Sequence, residues 1–274
     1  MRTIRVITVL LFLASLSLTL LSGYSSRVLE DHTPPVLSSS QEELAVSVTD
    51  PQEALLSGLT ARDGVDGDLT EDILVEHISG LTGPNSVNVT YAVFDKAENV
   101  AKLTRKVTYT DYESPRFSLT APLVYRVGAK IMLSDRLTVT DCLQGDISAG
   151  IRLGTQGLSN TAAGTYQITV QVTNDLGDTA ILPLTVQVVP NGVNVPQVLL
   201  SQYIVYKKAG ETLLPNQYIT RVVDPAAEGQ AIATKAVTMD RSQVDMNTPG
   251  VYEVYYRYTG KEATGLTILT VVVE

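Results

Sequence analysis

The sequence predicts an all-β protein, three tandem β-sandwiches preceded by one N-terminal apolar helix. Three observations carry this. The acidic stretch at residues 61–70, Ala-Arg-Asp-Gly-Val-Asp-Gly-Asp-Leu-Thr, returns in degraded form at residues 139–148, and its leading aspartates, Asp63 and Asp141, are 78 residues apart. Proline-marked entries stand at Pro35, Pro115 and Pro196, spaced by 80 and 81 residues. Beyond residue 26 no segment sustains a helical repeat, whereas several alternate apolar and polar residues with period two. A chain of 274 residues would suggest two domains by length, but a period near 80 gives three small ones, expected at 35–111, 112–190 and 195–274.

In chain order, residues 6–26 carry no charge, and as a helix they would span about 31 Å, close to the thickness of the hydrocarbon core. Arg2 and Arg5 precede this run, so that end is expected to stay cytoplasmic and the rest to be exported. An uncleaved membrane anchor over 1–26 is the expected reading, because the apolar run exceeds a signal core of about 7–15 residues. The alternative is a signal peptide cleaved near Gly23-Tyr24-Ser25, which would leave a secreted protein. Residues 27–34 read as a polar stalk ending at Pro34-Pro35, where consecutive prolines stiffen the chain.

In the first repeat, residues 36–37 and 44–48 read as short strands, with Leu44, Val46 and Val48 on one face. After the acidic turn, residues 73–78 are strand-like and are followed by the breakers Gly80, Gly83 and Pro84. Val87, Val89, Tyr91 and Val93 then alternate with polar or small residues. A polar turn at 95–99 connects them to a returning strand at 100–110, which makes a hairpin. The second repeat copies this with Tyr166, Ile168, Val170 and Val172, a turn at 174–178 and a closing strand at 181–189. The third places Tyr252, Val254, Tyr256 and Tyr258 on one face, Tyr255 on the other, and closes at 266–273.

Composition narrows the function. Acidic residues outnumber basic ones 29 to 20, and no cluster of lysine or arginine forms the basic stripe that phosphate binding needs, so nucleic acid is not an expected partner. Cys142 is the single cysteine, so no internal disulfide can form, and with no basic or histidine neighbour it reads as a small turn residue. His32 lies in the stalk and His77 in a strand. One cysteine and two separated histidines close neither a zinc site nor a hydrolytic triad, and no phosphate-cradling glycine loop is present.

The paired turns carry a resemblance. Asp63, Asp66, Gly67, Asp68, Leu69 and Thr70, with Asp95, Glu98, Asn99 and Ala101 in the second turn, are similar to the bacterial immunoglobulin-like domains of the pesticidal-crystal-protein type. Glu98 stands where that group usually has glycine. The second repeat keeps Asp141, Gly145, Asp146, Ile147, Gly164, Tyr166, Gly177 and Ala180 but has Gln144 for the middle aspartate. The third keeps only the Pro249-Gly250-Val251-Tyr252 run. The resemblance implies seven-stranded or similar sandwiches used as spacer, adhesion or binding modules, without catalysis.

For sites, Asp63, Asp66 and Asp68, with Asp72 close by, offer hard oxygen ligands of the kind calcium takes. The expected reading is still a tight turn, where aspartate caps local amides and glycine accepts positive φ, because the distal bidentate glutamate of a calcium loop is missing. No cofactor is therefore expected, with calcium as the alternative. A second calcium position, at Asp111 and Glu113 between repeats, is weighed below a plain acidic linker. Tyr255 is the candidate contact for a glycan, since it faces away from the core-side tyrosines. The function expected is a non-enzymatic extracytoplasmic surface rod for adhesion or for spacing an interaction surface from the membrane, its ligand a protein or a glycan. A polysaccharide-binding accessory module of the cell envelope is the alternative.

Overall fold

The computed structural model describes residues 12–19, 31–154 and 157–274. Residues 12–19 are helical; most of the expected segment 1–26 and residues 27–30 of the stalk lie outside the described residues. Among the described residues no helix is long and apolar enough to cross a membrane. Packing divides the chain into two compact units, 1–110 and 111–274.

Among its described residues the first unit holds seven strands: β1 (Val36–Ser39), β2 (Glu43–Val46), β3 (Leu59–Asp63), β4 (Gly67–Asp68), β5 (Leu74–Leu81), β6 (Ser86–Phe94) and β7 (Val100–Tyr109). They form two sheets, ordered β1-β3-β4 and β2-β7-β6-β5. The hairpin β6–β7 is the long element, paired from Ser86↔Thr108 to Phe94↔Val100, and β2 joins β7 in parallel. Burial follows the pleat: Val87, Val89, Tyr91 and Val93 are fully enclosed, and Leu44, Leu59, Ala61 and Val107 join them from both sheets. Strand β5 runs through Gly80 to Leu81, past the expected stop, with register irregularities between Val75 and His77 and between Ile78 and Leu81. Glycine here marks a bend in a strand rather than its end.

At the centre of β7 the inward position is charged. Arg105 is 2% exposed and sits between the inward Val107 and Leu103. Its Nη1 donates to Ser57 O at 2.8 Å and its Nη2 to Leu55 O at 2.7 Å, while the guanidinium stands 5.3 Å from the centre of the Tyr91 ring. Tyr91 Oη also donates to Leu55 O, at 2.7 Å. The buried cation is held by carbonyls at the end of the 3-10 turn Gln52–Leu56. It ties that turn to the hairpin.

The second unit carries the design twice. Its first half is built of β8 (Arg116–Leu119), β9 (Val124–Arg126), β10 (Leu137–Asp141), β11 (Gly145–Asp146), β12 (Arg152–Gly154), β13 (Gly164–Thr173) and β14 (Thr179–Val189). The second half has β15 (Gln197–Leu200), β16 (Ile204–Lys207), β17 (Ile219–Val223), β18 (Thr238–Asp240), β19 (Gly250–Thr259) and β20 (Thr264–Val273). The sheets run β11-β10-β8 and β12-β13-β14-β9, then β15-β17 and β16-β20-β19-β18. The parallel pairing of β2 with β7 recurs as β9 with β14 and β16 with β20. Only the third repeat lacks the short strand after the turn, which follows from its loss of the Gly-Asp pair that makes β4 and β11.

The sequence repeats and the packing units do not coincide. One continuous apolar core runs from Phe117, Leu137 and Leu184 in the second repeat to Val198, Tyr256 and Leu269 in the third. Polar contacts cross the same boundary: the Phe117 amide donates to Tyr206 Oη at 2.8 Å, Arg116 pairs with Glu274 at 2.8 Å, and Thr185 Oγ1 donates to Glu253 at 2.5 Å. Tyr256 is fully buried with its hydroxyl on Pro215 O at 2.8 Å, as Tyr91 is on Leu55 O. Both tyrosines keep a polar partner at the tip of an apolar body.

Candidate functional site

The acidic turn of the first repeat ends β3 and opens β4, and the polar turn at 95–99 joins β6 to β7. Their aspartates divide into two kinds. Asp63 accepts from the Val65 and Asp66 amides with one oxygen, at 2.7 and 2.8 Å, and Gly67 takes φ 83°, the left-handed conformation the turn needs. Asp66 points away, to the Lys96 amide and the Lys96 ammonium, both at 2.8 Å. Asp68 accepts from the Thr70 amide at 3.0 Å. These bonds hold all three carboxyls below their ordinary range: the turn amides act on Asp63, Lys96 on Asp66 and Thr70 on Asp68.

The set the sequence singled out is therefore not brought together as one ligand group. Asp66 and Asp68 are absorbed by the turn. Gln144 in the second repeat performs the task of Asp66, accepting from the Asp175 amide at 2.8 Å, and Asp146 performs that of Asp68 toward Ser148. The contact of Asp66 is thus one that an uncharged glutamine also makes.

Asp63 does belong to a cluster, with partners distant in sequence. It joins Asp31 at the domain entry and Asp95 at the hairpin turn, and one carboxylate oxygen from each of the three lies within 4.8 Å of the others. Asp95 is 6% exposed and accepts from the Asn99 amide and side chain, both at 2.8 Å. Asn99 Nδ2 also donates to Asp31 O at 3.0 Å, and the Thr33 amide donates to Asp31 Oδ1 at 2.9 Å. The Oδ2 atoms of Asp31 and Asp63 are sealed from solvent and accept no hydrogen bond. Sequence reasoning missed Asp31 and Asp95 as companions of Asp63. The signal was present, since all three follow or precede repeat-defining turns, but only sheet pairing sets the domain entry beside the hairpin.

At the same point in the second repeat, Asp141 and Asn174 replace Asp63 and Asp95. Asn174 Nδ2 donates to Asp141 Oδ2 at 2.8 Å and to Tyr112 Oη at 2.9 Å, and Tyr112 donates to Asp178 at 2.8 Å. Burial and the Asp178 carboxylate push the Tyr112 hydroxyl far up from its ordinary value. In the third repeat Gly260 follows β19 where Asp95 follows β6, and a Cβ there would meet Asp224 Oδ2 at 2.5 Å. At the position of Asp95 the three repeats thus carry an aspartate, an asparagine and a glycine.

Other candidates fall as follows. Glu113 pairs with Arg116 at 3.1 Å. Cys142 is a free thiol that donates to Glu113 O at 3.1 Å, and burial raises it away from the thiolate. His77 is exposed on β5. Tyr255 lines an open cleft of about 290 Å³ with Gln167, Pro183, Gln243, Val251, Tyr252 and Glu253. Its hydroxyl donates to Glu253 at 2.6 Å, which pushes it up to about 12, and Arg257 lies 5.3 Å from its ring centre.

No family model matches the chain. It is similar to an uncharacterized 81.3 kDa protein of Acholeplasma phage L2, 26% identical over 227 residues that make up 77% of this chain and 29% of the relative. The chain thus spans less than a third of that relative's length. Among solved structures it is similar to the M60 catalytic domain with the CBM51-1 and CBM51-2 domains from Clostridium perfringens ZmpB, at 14% identity and TM-score 0.24, covering 87% of this chain and 30% of that one. Drosophila N-cadherin EC1-4 gives 14% identity and TM-score 0.24 over 90% of this chain and 76% of that one. The lipoprotein BT2262 from Bacteroides thetaiotaomicron gives 14% identity and TM-score 0.20 over 86% and 98%. These likenesses carry no functional argument, and the all-β, multi-sheet architecture stands on the chain's own strand pairing.

Proposed function

We propose that this chain is a non-enzymatic, membrane-tethered surface protein in which tandem immunoglobulin-like sandwiches hold an interaction surface outside the cell. The observation that supports it best is the joint between the second and third repeats. A spacer has to resist bending, and a joint made only of a linker leaves domain motion as the default. Here a shared apolar core is reinforced by Tyr206 on the Phe117 amide and by Arg116, which pairs with Glu274 and lies 4.9 Å from the Tyr206 ring centre.

Expression of the full chain in a bacterial host tests the reading by carbonate washing of membranes and protease treatment of intact cells. Retention in the washed pellet together with cleavage from outside is the expected result. Release into the soluble cytoplasmic fraction would remove the reading.

A second reading, binding of a polysaccharide, is favoured by the Tyr255 cleft with its two glutamines and Glu253. Saturable binding on a glycan array that Tyr255→Ala abolishes would put this reading first.

A further inference from the structure

Acidic groups crowd many exposed turns without consequence, but the cluster of Asp31, Asp63 and Asp95 has two oxygens in an unusual condition. Oδ2 of Asp31 and Oδ2 of Asp63 have under 1 Å² of exposed surface and no hydrogen-bond partner. An anionic oxygen removed from water without a donor is strongly unfavourable, and three carboxylates within 4.8 Å add mutual repulsion. The donors nearby are already engaged. Asn99 Nδ2 serves Asp95 and the Asp31 carbonyl, and the Lys96 ammonium serves Asp66.

The second repeat shows what the arrangement lacks. There the Asn174 amide group donates to Asp141 Oδ2 and satisfies it, and donates as well to the Tyr112 hydroxyl, which in turn donates to Asp178. The first repeat has the carboxylate of Asp95 where the second has the donor Asn174, and among the described residues no donor reaches Oδ2 of Asp31 or of Asp63, an arrangement that a bound cation would satisfy.

We propose that the first repeat binds one calcium ion between Asp31, Asp63 and Asp95. All-oxygen, anionic ligands select a hard divalent cation. Oxygens up to 4.8 Å apart fit opposite ligands of an ion bound at about 2.3–2.6 Å, whereas magnesium at about 2.0–2.1 Å draws its ligands closer. Water completes a coordination sphere of about six to eight. The ion fastens the domain entry to the two turns at one end of the sandwich, and with three carboxylates and water as its ligands it is expected to bind weakly, at about 10⁻⁴–10⁻³ M. The site stands independently of the spacer reading.

Calorimetric titration of the full chain with calcium chloride, after chelator treatment, is the test, with thermal melting followed in parallel. One calcium per chain and a melting temperature that climbs with the logarithm of calcium concentration are expected. Asp95→Asn, which copies the second repeat, should fold, should lose the calcium-dependent shift, and should melt higher than the parent in chelator. Asp31→Asn, at the domain entry, should lose the shift as well and covers the case in which the first variant does not fold by circular dichroism. Absence of heat and of a shift at 10 mM calcium, on the order of tenfold above the weakest affinity expected, overturns the proposal, as does an undiminished shift in either folded variant. An equal response to magnesium overturns the assignment to calcium.

Discussion

Two successive repeats place the same pair of turns side by side and finish them differently. In the first, Asp63 and Asp95 bring two carboxylates together, with Asp31 as a third. In the second, Asp141 meets the amide of Asn174 at 2.8 Å and the network closes on itself through Tyr112 and Asp178. The backbone half of the arrangement is the same in both: Asn99 and Asp178 amides are bound by Asp95 and Asn174, and the amides two and three residues after Asp63 and Asp141 are bound alike. Aspartate and asparagine are therefore equivalent as caps of a turn, where an oxygen accepts from backbone. They are opposite in what the remaining atom offers, an acceptor in one case and a donor in the other. The hairpins differ in the same way at their centres. The position of Arg105, opposite Val89, is taken in the second repeat by Leu184, opposite Ile168, and in the third by Leu269, opposite Val254.

The largest test of this contrast is at Arg105. Arg105→Ala should cost about 2–4 kcal/mol in urea unfolding, because it leaves Ser57 O without its donor and opens a cavity beneath Tyr91. A loss below about 0.5 kcal/mol would mean that the first repeat tolerates an apolar centre as the other two do, and that the arginine network is incidental.

Next in size is Asn174→Asp, which converts the closed network to the open kind. It sets an acceptor against Asp141 Oδ2 where a donor stood, and a loss of about 1–3 kcal/mol at neutral pH without calcium is expected from denaturant unfolding. Unchanged stability would show that the Asn174 donor is not what satisfies Asp141 and that the two repeats do not differ in this respect.

The smallest effect concerns the second turn. Glu98 has φ 67°, a left-handed conformation unfavourable to a residue with a Cβ, and Gly177 has φ 78° at the same place in the second repeat. Glu98→Gly should raise the melting temperature of the chain, by a stabilisation of about 1 kcal/mol. A lower melting temperature would indicate that the glutamate side chain contributes more than its backbone costs.

Much of this was legible beforehand. Period-two alternation gave the hairpins at residues 87–93, 166–172 and 252–258, and the inward placement of Val254 and Tyr256 with Tyr255 facing opposite follows from pleating alone. The turns were legible because aspartate and glycine at fixed offsets meet a backbone requirement that is local. Arg105 was not, since alternation sets it inward but its charge argues for the surface; the carbonyls that make it tolerable, Leu55 and Ser57, lie about fifty residues earlier. The acidic cluster escaped for the same reason. Asp66 and Asp68 are close to Asp63 in sequence and turn away from it, while Asp31 and Asp95 are each 32 residues away and turn toward it.

What the sequence determined by itself is whatever depends on neighbours a few residues apart: strand periodicity, turn chemistry, the near-80-residue repeat and the absence of an internal disulfide. What only the tertiary structure decided is which side chains meet. A strand's pattern states that a face is buried but not against what, so the joining of the second and third repeats through one core, and the meeting of three aspartates from three separate connections, both required the sheets to be assembled.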